Sequence, residues 1–487
     1  MRPRRPIAGI SSRHGDSARG LWRENWGDCF WRLGHYLAPM LSVSEAEGRA
    51  AALIEAAIKA GADEADVLYI GEAATEVQVR LGALEDVTRS EGEEIGLRFF
   101  CGRRSASVSS SDLSPQALAA LVERAAAMAR EAPEDPFAGL AAEERLLRGP
   151  APDLDSDDGA DPAPAALKER ALAIEEAARA VPGVTNSEGA GVSAGRSVIA
   201  LATSHGFVRG YATSGYSGGA SMIAGEGGAM QRDHAGHNTR HYADLDEPEA
   251  IGRLAGTRAV KRLDPAKLAS GTMPVVFDPR VGGSLIGALL GAMSGPAIAR
   301  KTSFLLGREG EAPFGAGVTI VDDPHRRRGL KSKPFDGEGV ATRARALIER
   351  GALTGWLLNS ASARQLGLET TGHASRGIGG APGVGATNVH MEPGNVSPQA
   401  LIADVKRGLY VTEMIGSGVN PVTGDYSRGA SGFIIEYGEI AAPAAEITIA
   451  GNLIDMFRAL VPADDLEFRR AINVPTLRID GMMIAGA

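Results

Sequence analysis

The sequence predicts an α+β protein in which N-terminal α+β units with antiparallel sheets precede a β-rich C-terminal domain. Three observations carry that expectation. Helical spacing after residue 42 gives way to period-two alternation. A Gly/Ser/Ala-rich stretch over residues 192–223 alternates in the same way, and beyond Asp264-Pro265 the chain breaks into short strand-like runs and turns. At 487 residues the chain is also too long for one ordinary core, so two or three domains follow from size alone.

Residues 1–40 stand apart. They hold three of the four Trp, several Arg and no periodic pattern, and read as a disordered extension or as sequence ahead of a natural start at Met40. A chain beginning at Met40 is therefore expected to fold as the full chain does, which comparison of the two thermal melts checks.

The first α+β unit is expected over residues 41–131. Ser44-Glu45-Ala46-Glu47 reads as a capping box, followed by Ala46, Ala50, Leu53, Ile54 and Ala57 at helical spacing up to Gly61. Four strand-like stretches follow, marked by Val67 and Tyr69, by Val77 and Val79, by Ile95 and Leu97, and by Ala106 and Val108. Ser114-Pro115 then opens a second helix. Residues 132–165 turn rich in Pro and Asp and read as a linker. The second unit, 166–265, comprises a helix over 167–180, alternating strands over 192–203 and 207–223 about a turn at His205-Gly206, and a helix over 247–263. The third segment, 266–487, opens on a strand and a helix. It continues with a hairpin about Arg350-Gly351 and strands over 433–440 and 447–449.

A net charge of −9 argues against a general affinity for nucleic acid, which needs clustered positive surface. The one basic run, His325-Arg326-Arg327-Arg328, sits among Asp and Gly and reads as a solvated loop. Only Cys29 and Cys101 occur, which excludes a disulfide framework and suits a reducing, cytoplasmic setting. No apolar run is long enough to span a bilayer, so no membrane is expected as a partner.

Four patterns invite chemical readings, and each is outweighed by a structural one. Asp153, Asp155, Asp157 and Asp158 resemble the start of a calcium loop, but Pro164 stands where a bidentate Glu is required. Gly215-Tyr216-Ser217-Gly218-Gly219 matches G-x-S-x-G without the helix that a nucleophile elbow needs behind it. His234, His237 and His241 could share a helix face, but Gly236 and Asn238 weaken a helix there. The glycine-rich run from Gly377 to Gly385 lacks a phosphate-loop ending, and Pro382 removes a donor.

Several blocks in order carry a stronger signal. Phe335-Asp336-Gly337-Glu338-Gly339-Val340, Thr371-Gly372-His373-Ala374, Tyr410-Val411-Thr412-Glu413, the run from Gly424 to Phe433 and the ending from Thr476 to Gly486 together resemble the TldD/PmbA family. Within it the chain looks like the PmbA (TldE) branch. The catalytic branch carries H-E-x-x-x-H on a helix about two turns before an Arg-Lys pair. Counting back from Arg300-Lys301 places Gly287, Ala288 and Ala292 at those positions, and no Cys follows Cys101 to supply a third ligand. The resemblance therefore implies no catalytic residue, no metal ligand and no cofactor in this chain. It implies instead a heterodimer with a TldD-type subunit that holds zinc, this chain walling a cavity and clamping small or unfolded peptides. Two other readings stay open: a regulatory protein that binds DNA gyrase, and a homodimer without enzymatic activity.

Overall fold

The structure, a computed structural model, describes residues 40–486. The extension expected over residues 1–39 lies outside the described residues, as does Cys29.

Helix α1 (Val43–Lys59) is capped by Ser42, two residues ahead of the expected box. The sequence offers two overlapping Ser-x-x-Glu boxes. The upstream one is used: Glu45 N–H donates to Ser42 Oγ at 3.3 Å and Ser42 N–H to the Glu45 carboxylate at 2.9 Å. Glu47 is thereby left to accept from the Gly210 N–H at 2.6 Å, which ties the helix to a distant strand.

Strands β1 (Glu64–Arg80) and β2 (Ala83–Cys101) form one long hairpin where the sequence suggested separate short strands. Residues 83–92 are exposed on both faces, so pairing continues where the apolar alternation that reports a strand has stopped. The turn at Leu81-Gly82 puts both residues at positive φ, the conformation that matches the twist of two paired strands. Glu175, itself buried, accepts from both turn N–H groups at 2.8 Å.

The remaining N-terminal elements are β3 (Arg104–Ser110), α2 (Pro115–Glu131), α3 (Pro164–Arg179), β4 (Val184–Thr203), β5 (Val208–Ala224), β6 (Gln231–Thr239) and α4 (Pro248–Lys261). All six strands join one antiparallel sheet in the order β3-β2-β1-β4-β5-β6. All four helices cover the same face. Val67, Leu97 and Ala200 pack under α1 and α2; Val77, Val192 and Met222 pack under α3 and α4. These positions share one parity along each strand, and the alternate parity points the other way.

The C-terminal part contains β7 (Gly271–Phe277), α5 (Pro279–Ala292), α6 (Gly295–Ala299), β8 (Ile320–Asp322), β9 (Arg345–Glu349), β10 (Ala352–Leu353) and α7 (Ser360–Leu366). It continues through β11 (Ala374–Ser375), β12 (Gly383–Val384), β13 (Val389–Met391), α8 (Pro398–Ile402), β14 (Arg407–Ile415), β15 (Asp425–Glu436) and β16 (Glu439–Asn452). It ends with α9 (Leu453–Ala459), β17 (Leu460–Pro462), β18 (Ile472–Asn473) and β19 (Leu477–Ala485). One sheet runs β16-β15-β14-β7-β19-β17, and β16 also pairs with β19, so five of its strands close into a barrel. The strand expected over 433–440 is instead the end of β15, a turn at Tyr437-Gly438 and the start of β16. Its apolar residues flank the turn on both sides, and alternation alone cannot register the reversal.

The stretch expected as a linker is tied down along its length. Arg364 donates to the carbonyls of Phe137, Gly139 and Leu140. Its carboxylates answer distant cations: Asp153 pairs with Arg327 at 2.8 Å, Asp155 with Arg328 at 2.7 Å and Asp157 with Arg196 at 2.8 Å. The basic run is thus more than a solvated loop. Its partners lie some 170 positions upstream, beyond the reach of local pattern.

At the junction between the sheet and the C-terminal part, Phe335 meets Phe207 and Tyr211 edge-on at 5.2 and 5.4 Å. Gly96 lets the backbone of Ile378 approach so closely that a Cβ would stand 2.1 Å from its carbonyl oxygen. Beside them Asp66 is buried between two guanidinium groups, Arg98 Nε at 3.0 Å and Arg376 Nη1 at 2.6 Å. Burial alone would raise its carboxyl, but the two cations hold it below the usual range. Removing the carboxylate by Asp66→Ala leaves two buried cations uncompensated and is expected to cost roughly 3–5 kcal/mol of unfolding free energy, read from urea denaturation midpoints.

Candidate functional site

Where the C-terminal part covers the uncovered face of the sheet at one end only, the other end opens into a cavity of about 870 Å³. Its floor is the alternate parity of the strands: Gly191 and Ser193 of β4, Ser217 and Gly219 of β5, and Gly236 of β6. Their sequence neighbours Val192, Tyr216, Ala220 and Ala235 are buried under α3 and α4. The small-residue alternation seen in the sequence is therefore the signature of a bare backbone floor. Ser217, centre of the G-x-S-x-G match, lies on that floor paired to Ser193 at 2.7 Å, inside a strand and with no helix behind it.

One wall is the start of α5. Asp278 caps the helix, its Oδ1 accepting from Arg280 N–H at 2.9 Å, while Oδ2 accepts from the Tyr410 hydroxyl at 3.1 Å. Arg280 reaches across to Asp233 of β6 at 3.0 Å, and Arg262, the residue that follows α4, holds the same carboxylate at 2.7 Å and Glu413 at 2.6 Å. Burial would raise Asp233, but Arg280 and Arg262 outweigh it and keep the carboxyl below its ordinary range. Beside the start of α5, and packed against that helix through Ile472, the segment carrying Arg469 and Arg470 continues the wall. The buried Asn473 side chain fixes it, accepting from the N–H groups of Arg469 and Arg470 at 2.8 Å and donating to the Arg470 carbonyl at 2.7 Å.

The three histidines do not share a helix face. His234 and His237 lie on β6, where a spacing of three turns their side chains to opposite faces. Each has its own neighbour: Asp233 for His234, Asp246 for His237 at 3.2 Å, Asp155 for His241 at 3.2 Å. Among the described residues no three His, Cys, Asp or Glu side chains gather as metal ligands. The remaining acidic residue of the calcium-like run, Asp158, accepts from the Tyr216 hydroxyl at 2.5 Å and from the Tyr242 N–H at 2.8 Å. The glycine-rich run from Gly377 to Gly385 crosses the junction, with β12 at its end.

The positions singled out on α5 fall a turn or more beyond the cavity wall. Gly287 and Ala288 are half-buried, Ala292 is buried, and none of the three lines the cavity, which α5 reaches through Asp278, Pro279 and Arg280. Leu285, Ile286 and Leu289, with Met293 just past the last turn, form the packed face of the helix, and Leu290 is only partly covered.

Three family models match in order along the chain: PmbA/TldA metallopeptidase domain 1 over residues 65–129, the central domain over 157–263 and the C-terminal domain over 270–486. The chain belongs to the PmbA/TldD metallopeptidase family. Metalloprotease PmbA of Escherichia coli O157:H7 is 40% identical over 426 residues, covering 87% of this chain and 92% of that protein. A Bacteroides thetaiotaomicron protein, solved as a candidate modulator of DNA gyrase, superposes with a TM-score of 0.84 at 27% identity over 91% of this chain and 99% of that one. TldE of Thermococcus kodakarensis shares the fold, with a TM-score of 0.81 at 23% identity over 91% and 100%.

The blocks that carried the family resemblance are mostly framework. Glu338 accepts from Ser360 N–H and Oγ at 2.9 and 2.6 Å, Asp336 accepts from three backbone N–H groups, and His373 Nε2 lies 3.0 Å from Asp322, all buried. Tyr410 is the member of those blocks that reaches the cavity.

Because the native carboxyl of Asp233 is depressed, its stabilising contribution is complete above the ordinary aspartate value of about 3.9. It is lost as pH falls through the lower native value. Asp233→Asn is expected to lower stability by roughly 3–5 kcal/mol at neutral pH, with the gap to wild type closing as pH is lowered below about 4. Denaturant midpoints of both proteins measured from pH 7 to pH 3 check this.

Proposed function

We propose that this chain is the PmbA/TldE-type subunit of a cytoplasmic, heterodimeric zinc metalloprotease that degrades or processes small or unfolded peptides. The observation that carries the reading is α5: glycine at 287 and alanine at 288 and 292 offer no donor atom, so the residues present do not fit a zinc ion. The zinc and the water-activating carboxylate then belong to a TldD-type partner, and no chemical step is assigned to this chain.

Its own residues hold and orient. An extended peptide lying over the Gly/Ser floor meets backbone rather than bulky side chains, and main-chain hydrogen bonds give binding with little demand on sequence. β6 is the last strand in its sheet order, so its outer edge has no strand partner within the described residues and can accept one. The Asp278 to Arg280 to Asp233 relay keeps the wall beside that edge rigid.

The purified chain alone is expected to show no chelator-sensitive peptidase activity. Co-expressed with a TldD-type chain it is expected to elute as a heterodimer, to carry zinc by elemental analysis and to cleave unfolded peptides until a chelator is added. Chelator-sensitive cleavage by the isolated chain, or a failure of the two chains to associate, would overturn the reading.

A further inference from the structure

The carboxylates lining the cavity are all engaged. Glu76 accepts from Gln78, Glu188 from Ser221, Asp246 from Arg469, Asp278 from the α5 N-terminus and Tyr410, and Asp465 from Thr476; Glu467 lies 3.6 Å from Arg469. The cations are not matched in the same way. Arg262 and Arg280 share Asp233, whereas among the described residues Arg258 and Arg470 have no carboxylate within 4 Å.

Arg258 is half-buried on α4 and donates to the backbone carbonyl of His234 at 3.1 Å. Arg470 lines the same cavity from the segment ahead of β18, its backbone fixed by Asn473. Burial lowers both Arg258 and His234; nearby Arg280 and Arg470 add to this at Arg258, and all three arginines add to it at His234, while Asp278 and Asp233 oppose it at Arg258 and Asp233 opposes it at His234. Two guanidinium groups that line a cavity, Arg258 half-buried and Arg470 exposed, with no carboxylate within 4 Å of either, are a receptor for an anion. Gly191, Gly219 and Gly236 bring no side chain to the floor, and Ser193 and Ser217 are paired to each other, so an anchor on the wall would supply the register of a bound chain.

We propose that Arg258 and Arg470 form an anion subsite that takes a carboxylate of the held peptide, from an acidic side chain or from the chain's C-terminus. The proposal rests on the peptide-holding reading above and adds a substrate class to it: peptides with an acidic residue, or a free end, a fixed distance from the segment that lies over the floor.

Fluorescence anisotropy on the full chain tests it with three labelled probes: a terminally blocked Gly/Ser/Ala peptide, the same peptide carrying one Glu, and the blocked sequence with its C-terminus left free. At least one carboxylate-bearing probe is expected to bind about tenfold more tightly than the neutral one, and which one does so identifies the source of the carboxylate. The preference is expected to fall below about twofold in Arg258→Gln and in Arg470→Gln. It should persist in Arg470→Lys and in Arg300→Gln, which removes an exposed cation outside the cavity. Arg470 is exposed, so its variants fold regardless of what becomes of Arg258→Gln. Equal binding of all three probes by the wild type, or a preference that survives both glutamine variants, overturns the subsite while leaving peptide holding intact. Binding of none of the probes overturns both.

Discussion

The arrangement of this molecule depends on one buried carboxylate. Asp66 comes from the N-terminal sheet, Arg98 from its neighbouring strand, and Arg376 from a loop of the C-terminal part some 300 positions later. Bringing three charges out of water is costly, and the pairing recovers that cost only in a narrow geometry. The triad therefore sets position more than it adds stability. With Phe335 wedged against Phe207 and Tyr211 close by, it seats one end of the sheet firmly on the C-terminal part. The same face is then left uncovered at its other end, and that uncovered end is the cavity.

What the sequence disclosed divides along the reach of the interactions. The helices α1 to α4 were legible within a few residues, because an amphipathic stripe and a terminal cap are local. The long β1–β2 hairpin was not, since its outer half is exposed on both sides and carries no apolar alternation. Barrel closure was invisible for a different reason: the pairing of β16 with β19 and of β19 with β7 joins residues up to about 200 positions apart. The acidic run at 153–158 and the basic run at 325–328 were each visible, but only the folded chain makes them partners.

The candidate site was legible in part. Its floor was noticed as a small-residue alternation, yet nothing local says which parity the helices cover, and that choice decides whether glycine faces a core or a cavity. Its walls come from α4, the start of α5, β14 and the segment before β18, none of which announces a site by itself. Resemblance to a family picked out Asp336, Glu338 and His373, and these prove to be buried members of the framework. The charged residues that face the cavity, Arg258, Arg280 and Arg470, belong to no motif. A search for aligned positive residues around an uncovered sheet face would have found them, but it needs the fold first.

Helix α5 is open to larger side chains at one point and closed to them at another. At Gly287 a Cβ would meet no atom within 4 Å, so a larger side chain fits there without disturbing a neighbour. Ala292 is different, because it has been absorbed into the main C-terminal core beside Leu289 and Met293. A ring the size of imidazole at that point must displace packed neighbours, an overpacking cost of about 1–3 kcal/mol or more. A pair of larger side chains at 287 and 292 is therefore blocked at the second position alone, and close packing at that one point decides what this stretch of the helix can carry.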